Sequence, residues 1–194
     1  MPGIHPKALG KTRVSDELDI LTSVAARLDK AGIAYMVTGS MAANFYATPR
    51  MTRDIDLVVE LSESDVSRVV GLFHDEYYID RDMVEQAVRN RSMFNMIHHA
   101  LIVKVDCVVR KDSDYRREEF SRRRSVAVNG QPVMIVAPED LILSKLDWAK
   151  ESRSQMQFDD VRSIVRSVQR LDRDYLGRWA DRLGLGALYR EICS

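Results

Sequence analysis

The sequence predicts an α/β (α+β) fold: a mixed central sheet flanked by helices and followed by a short C-terminal helical region. Three observations carry this. Strand-like and helical segments alternate through residue 137. Two pairs of strand-like runs, one near His98–Ala100 and one around Asn129-Gly130, are joined by turns that suit antiparallel neighbours. After Pro138 the patterning is helical throughout. With 194 residues, of which 45% are hydrophobic and 30% charged, the chain is long enough for one sizeable core. The expected organisation is a loose leader over residues 1–13, an α/β core over 14–137, and a helical region over 138–194 packed on that core.

Taken in order, Pro2, Gly3, Pro6 and Gly10 mark the leader. Ser15 is a candidate N-cap, followed by Asp16, Glu17 and Asp19. Leu18, Leu21, Ala25 and Leu28 recur at helical spacing until Gly32 stops the helix. A strand is expected over 33–38, a turn at Gly39, a short helix over 40–47 ending before Pro49, and a strand over 54–61. A helix over 65–73 capped by Ser62 or Ser64, a short strand at 77–79 and a polar helix over 81–91 follow. Strands are expected over 93–97 and 101–109, then a charged helix over 114–123. Asn129-Gly130 is the strongest hairpin signal in the chain, within 125–136. Pro138 suits the first position of a helix, and further helices are expected over 155–170 and 174–192, the last interrupted near Gly184 and Gly186. In the first of these two, Val161, Ile164, Val165, Val168 and Leu171 form an apolar stripe, with Arg162, Arg166, Arg170 and Arg173 opposite.

The chemistry concentrates between Tyr35 and Leu61. Gly39-Ser40 follows an apolar run, and the next run opens Asp54-Ile55-Asp56. Alternation along a strand puts Asp54 and Asp56 on one face. Two like charges there repel unless a cation neutralises them, which hard divalent ions with oxygen ligands do well. A helix opening at Gly39-Ser40 directs free N–H groups toward the strand tip, a ready anion site. Asp106 stands in the middle of an otherwise apolar run and is costly to bury without a partner.

Each feature also has a plainer reading. Asp54-x-Asp56 alone fits a solvated edge strand, and Asp106 can pair with Lys104 or a nearby arginine. Lys145 has Asp147 and Glu151 within its own helix, and Asp159-Asp160 reads as a cap with a hydrophobic staple. His98-His99 lacks further ligands at zinc spacing and reads as a turn. The group Arg116, Arg117, Arg122, Arg123 and Arg124 reads as a solvated helix face more readily than as a nucleic-acid groove.

Composition excludes some classes. Formal net charge is zero, from 29 basic and 29 acidic residues, so a polyanion-binding surface has to be local. Cys107 and Cys193 lie far apart and make no disulfide framework. With no signal-like or membrane-spanning run, a cytoplasmic setting is expected.

Gly39-Ser40, Asp54-x-Asp56 and a later strand-borne Asp106 together resemble the polymerase-beta-like nucleotidyltransferase superfamily. Arg50-x-Thr52-x-Asp54-Ile55-Asp56-Leu57 and the helix bearing Lys145 are similar to the small bacterial abortive-infection and toxin–antitoxin nucleotidyltransferases. The resemblance implies a nucleotidyltransferase fold and transfer of an NMP group from an NTP to an acceptor hydroxyl, with pyrophosphate released. Asp54, Asp56 and Asp106 would be catalytic and bind two Mg²⁺ ions, with Mn²⁺ as a substitute. Gly39, Ser40, Arg50, Arg53 and Lys145 would bind the nucleotide. The acceptor implied is a tRNA end, a protein or a small molecule, with an antitoxin or toxin as partner. The competing expectation is a catalytically silent relative serving as a binding or antitoxin module.

Overall fold

The computed structural model describes residues 13–193, so nearly all of the expected leader lies outside the described residues. Helix α1 (Arg13–Lys30) begins before Ser15, which therefore lies inside the helix and not at its cap. The chain continues through β1 (Tyr35–Thr38), α2 (Gly39–Tyr46) and β2 (Asp54–Val59). A 3₁₀ turn (Glu63–Asp65) with a capping box at Ser62 leads into α3 (Val66–Phe73), β3 (Tyr77–Ile79) and α4 (Arg81–Asn90). Then come β4 (Met93–His98), β5 (Lys104–Val109), α5 (Asp114–Ser121), β6 (Arg124–Val128) and β7 (Gln131–Ile135). Four helices close the described chain: α6 (Pro138–Ser152), α7 (Gln155–Ser167), α8 (Arg173–Arg182) and α9 (Gly186–Cys193).

One mixed sheet contains all seven strands in the order β3-β4-β5-β2-β1-β7-β6. The pairs β2/β5 and β1/β7 are parallel and the other neighbours antiparallel, which bears out the mixed sheet. The β6–β7 hairpin turns at Asn129 (φ 49°) and Gly130 (φ 79°), the two left-handed positions that such a tight turn requires. Three expected strands are shorter than anticipated, among them β2, which ends at Val59 and not at Leu61. β1 starts at Tyr35, and β5 starts at Lys104 because the His98 and Ile102 N–H groups close a tight turn onto Val103 O and His98 O, both at 2.9 Å. Ile102 sits there at φ 53°, an uncommon conformation for a β-branched residue, with its side chain in solvent.

The two sheet faces differ in chemistry. Leu28 of α1 and Val69 and Phe73 of α3 pack against Val59, Phe94, Met96 and Cys107, giving an apolar layer under the centre of the sheet. Ile55 and Leu57 of β2 and Val105 and Val109 of β5 are fully buried on the same parity. Strand alternation therefore sends Asp54, Asp56 and Asp106 to the opposite face.

The C-terminal helices are fastened to the sheet-bearing part by a buried ionic knot. Glu139 and Asp140 occupy the first turn of α6, where the positive end of the helix favours carboxylates. Arg122, just past α5, donates from Nε to Asp140 at 2.9 Å and from Nη2 to Glu139 at 3.1 Å, and its guanidinium lies 3.8 Å from the Tyr175 ring centre. Tyr175 on α8 donates to Asp140 at 2.6 Å. Arg116 pairs with buried Glu119 at 2.9 Å. These two arginines thus serve internal ion pairs, which corrects their reading as part of a solvated helix face.

Burial pushes Asp140 up to about 6, against the lowering pull of Tyr175 and Arg122. Its folded form holds a proton more tightly than the unfolded chain, so the associated stability is complete below about 4 and is lost as pH rises through about 6. Comparing urea unfolding of wild type with Asp140→Asn between pH 4 and 7 should show the balance shifting toward the Asn variant as pH rises. The expected shift is on the order of 3 kcal/mol; a pH-independent difference would contradict the dominance of burial.

Candidate active site

Thr38 ends β1 opposite Asp56. The chain then turns at Gly39, with φ 62°, and enters α2 directly. The turn lies so close to β2 that a Cβ built on Gly39 would stand 2.0 Å from Asp56 Oδ2, so only glycine fits on both conformational and steric grounds. The Asp56 carboxylate accepts a hydrogen bond from the Ser40 N–H. That donor, expected to be free for an anion, is here turned toward a protein carboxylate.

Asp56 and Asp106 are register partners on the parallel strands β2 and β5, and Asp54 is the partner of Lys104. Partners in register share a sheet face, so three carboxylates and one ammonium form a compact patch. Asp54 is exposed, Asp56 half-buried and Asp106 buried. Burial, followed by the charges of Asp106 and Asp54, raises the Asp56 pKa above the usual carboxylate value, while Lys145 and the Ser40 N–H oppose this. Lys104 Nζ lies 2.7 Å from Asp106 Oδ2. The other oxygen, Oδ1, is buried and has no hydrogen-bond partner.

A second cluster holds the wall beside this patch. Lys145 on α6 is buried and donates to Asp160 at 2.7 Å and to Gln157 at 3.0 Å. Arg50 donates to both oxygens of Asp160, at 2.9 and 3.0 Å, and to Ser40 Oγ at 2.5 Å. Asn44 fixes the Arg50 backbone from both sides, donating to Arg50 O at 2.8 Å and accepting from Arg50 N at 3.0 Å. Burial lowers the Lys145 pKa despite Asp160 and the nearby Asp56. Burial alone would raise Asp160, but the hydrogen bonds from Arg50 and Lys145 outweigh it and leave the carboxylate below its usual value. Arg53 is exposed and forms no hydrogen bond or ion pair with another described residue.

The structure therefore gathers Gly39, Ser40, Asp54, Asp56, Asp106, Arg50 and Lys145, and leaves Arg53 at the rim. Asp160 corrects the sequence reading: it lies inside α7, not at its cap, and joins two basic side chains. Its signal was the spacing Gln157, Asp160, Val161, Ile164, which puts a carboxylate on the buried stripe of α7. Lys104 and Asn44 were likewise not singled out as site residues.

Two features fit a hard divalent cation: the all-oxygen donor set and the unpartnered buried Oδ1 of Asp106. Among the described residues no three His, Cys, Asp or Glu side chains are grouped so as to hold an ion by themselves, and the Lys104 ammonium stands at Asp106. His98 is the last residue of β4 and His99 opens the turn that follows it. No helix among the described residues is long and apolar enough to cross a membrane.

The sequence matches no protein-family model and no curated protein. Solved structures do share its architecture. The antibiotic-resistance factor ANT(2'')-Ia superposes with a TM-score of 0.61 at 15% identity, over 91% of this chain and 97% of that one. An antigenic nucleotidyltransferase-like protein from Paracoccidioides brasiliensis gives 0.55 at 18% identity, over 92% and 93%. The lincosamide antibiotic adenylyltransferase LnuA, in its lincomycin-bound structure, gives 0.52 at 10% identity, over 84% and 100%. The chain has the nucleotidyltransferase fold, as the resemblance implied.

Proposed function

We propose that this chain is a metal-dependent nucleotidyltransferase that moves an NMP group from an NTP to an acceptor hydroxyl. One observation carries the reading: Asp56 and Asp106 stand in register on adjacent parallel strands, with Asp54 on the same face, beside a glycine turn that no other residue fits. Asp54, Asp56 and Asp106 would hold two Mg²⁺ ions, with Mn²⁺ as a substitute. Such ions polarise the phosphoryl oxygens and stabilise both the attacking and the leaving oxygen.

The remaining chemistry belongs to the chain itself. The acceptor hydroxyl oxygen bonds to the α-phosphorus, the bond from that phosphorus to the β-bridging oxygen breaks, and pyrophosphate leaves. The hydroxyl proton goes to Asp106 Oδ1, which is buried and unpartnered. Arg50 offers a planar fork for the triphosphate and Lys145 a point charge. Exposed Arg53 adds a third cation at the rim. Ser40 positions Arg50 through its hydroxyl. The resemblance of the motif string supports a toxin–antitoxin setting, with an acceptor that is a tRNA, a protein or a small molecule.

The test is incubation with Mg²⁺ and each α-labelled NTP, separately with total tRNA, cell protein and aminoglycosides. Label should enter one pool and vanish with Asp54→Ala and with Asp106→Ala. No transfer to any pool, or transfer that survives Asp54→Ala, overturns the proposal.

A further inference from the structure

The carboxylate patch already contains a cation of its own. Lys104 lies beside Asp54 in the strand register, yet its ammonium reaches along the face to Asp106 Oδ2 at 2.7 Å. The choice follows from solvation. Asp54 is exposed and water satisfies it, whereas the Asp106 side chain is only 11% exposed and gains most from a counterion. Lys104 itself is 40% exposed on its side chain, and its flexible stem allows the ammonium to swing into water at little packing cost. Its ion pair leaves Asp106 with one oxygen occupied and one oxygen bare.

We infer that Lys104 is an internal competitor for the Asp106 metal position, so that the two cation positions load in order. The first ion binds at Asp54 and Asp56; the second binds at Asp106 only when the Lys104 ammonium leaves. Lys104 offsets one of the three carboxylate charges before metal arrives and so weakens their mutual repulsion. This rests on the proposed metal dependence, and the experiment separates failure of one from failure of the other.

Mn²⁺ titration of the intact chain, with bound and free ion counted by electron paramagnetic resonance, reads this without any turnover. Wild type should show one tighter and one weaker ion. Lys104→Met should tighten the weaker ion by about ten- to a hundredfold, the affinity equivalent of one charge-assisted hydrogen bond, and leave the tighter one within about twofold. Lys104→Arg, which keeps the charge, should retain the wild-type separation, and thermal unfolding confirms that each variant is folded. Two ions of equal affinity in wild type, or a Lys104→Met variant whose weaker ion is unchanged or loosened, overturns the inference while the metal reading stands. If neither wild type nor any variant binds Mn²⁺, the metal dependence falls, and the inference with it.

Discussion

Asp56→Asn is expected to cost more than about a hundredfold in transfer, beyond the loss typical of groups that only support a metal ligand, while the protein melts at a higher temperature than wild type. The two effects have one cause. Burial and the neighbouring charges of Asp106 and Asp54 raise the Asp56 pKa, so the ionised carboxylate opposes folding. The folded chain holds this proton more tightly than the unfolded chain, and the associated stability is lost as pH rises through the raised folded-state pKa. Asparagine removes the charge, keeps an oxygen for the Ser40 N–H and occupies nearly the same volume. Thermal melts and the labelled-NTP assay on the same preparation check both signs. A variant that melts lower, or that retains transfer, would remove Asp56 from its assigned place.

Gly39→Ala should fail on both counts. A left-handed φ of 62° costs an L side chain about 1–2 kcal/mol, and forcing an atom into occupied space costs about 1–3 kcal/mol more. For a chain of this size the melting temperature should drop by roughly 5–15 °C. Since the obstructing atoms belong to Asp56, at 2.0 Å from Oδ2 and 2.6 Å from Cγ, relief comes by displacing that carboxylate, and transfer should be lost with it. Gly130→Ala provides the contrast. It shares the left-handed backbone, at φ 79°, but its Cβ would meet nothing within 4 Å. That variant should lose only the conformational share of stability and keep full transfer; equal loss in both would mean that strain alone acts at Gly39.

Much of this was legible in the chain because local rules govern it. The Asn129-Gly130 turn, Pro138 opening α6 and the alternation of Asp54-Ile55-Asp56 each depend on a few adjacent residues, and the structure follows all three. Asp106 was legible as a misfit, a carboxylate in an apolar run. The convergence of the site was not, because it depends on β2 and β5 pairing in parallel across some fifty residues, with β3 and β4 in between. Asp160 was misread for a related reason. Read among its neighbours in sequence it resembles a cap, and its partners Arg50 and Lys145 come from other elements. The late start of β5 was hidden too, since the residues of Leu101–Val103 favour strands but serve a turn.

The double grip of Asp160 on Arg50 and Lys145 carries a thermodynamic consequence. One carboxylate of α7 neutralises both a loop cation beside the glycine turn and a buried cation of α6. A polyphosphate that recruits Arg50 has to take it from Asp160, leaving that carboxylate with Lys145 alone. Occupancy of the anion site and docking of α7 are therefore linked quantities. Whatever free energy the ligand spends in loosening α7 is returned in full as weaker ligand binding when α7 is held tight, because linkage is reciprocal.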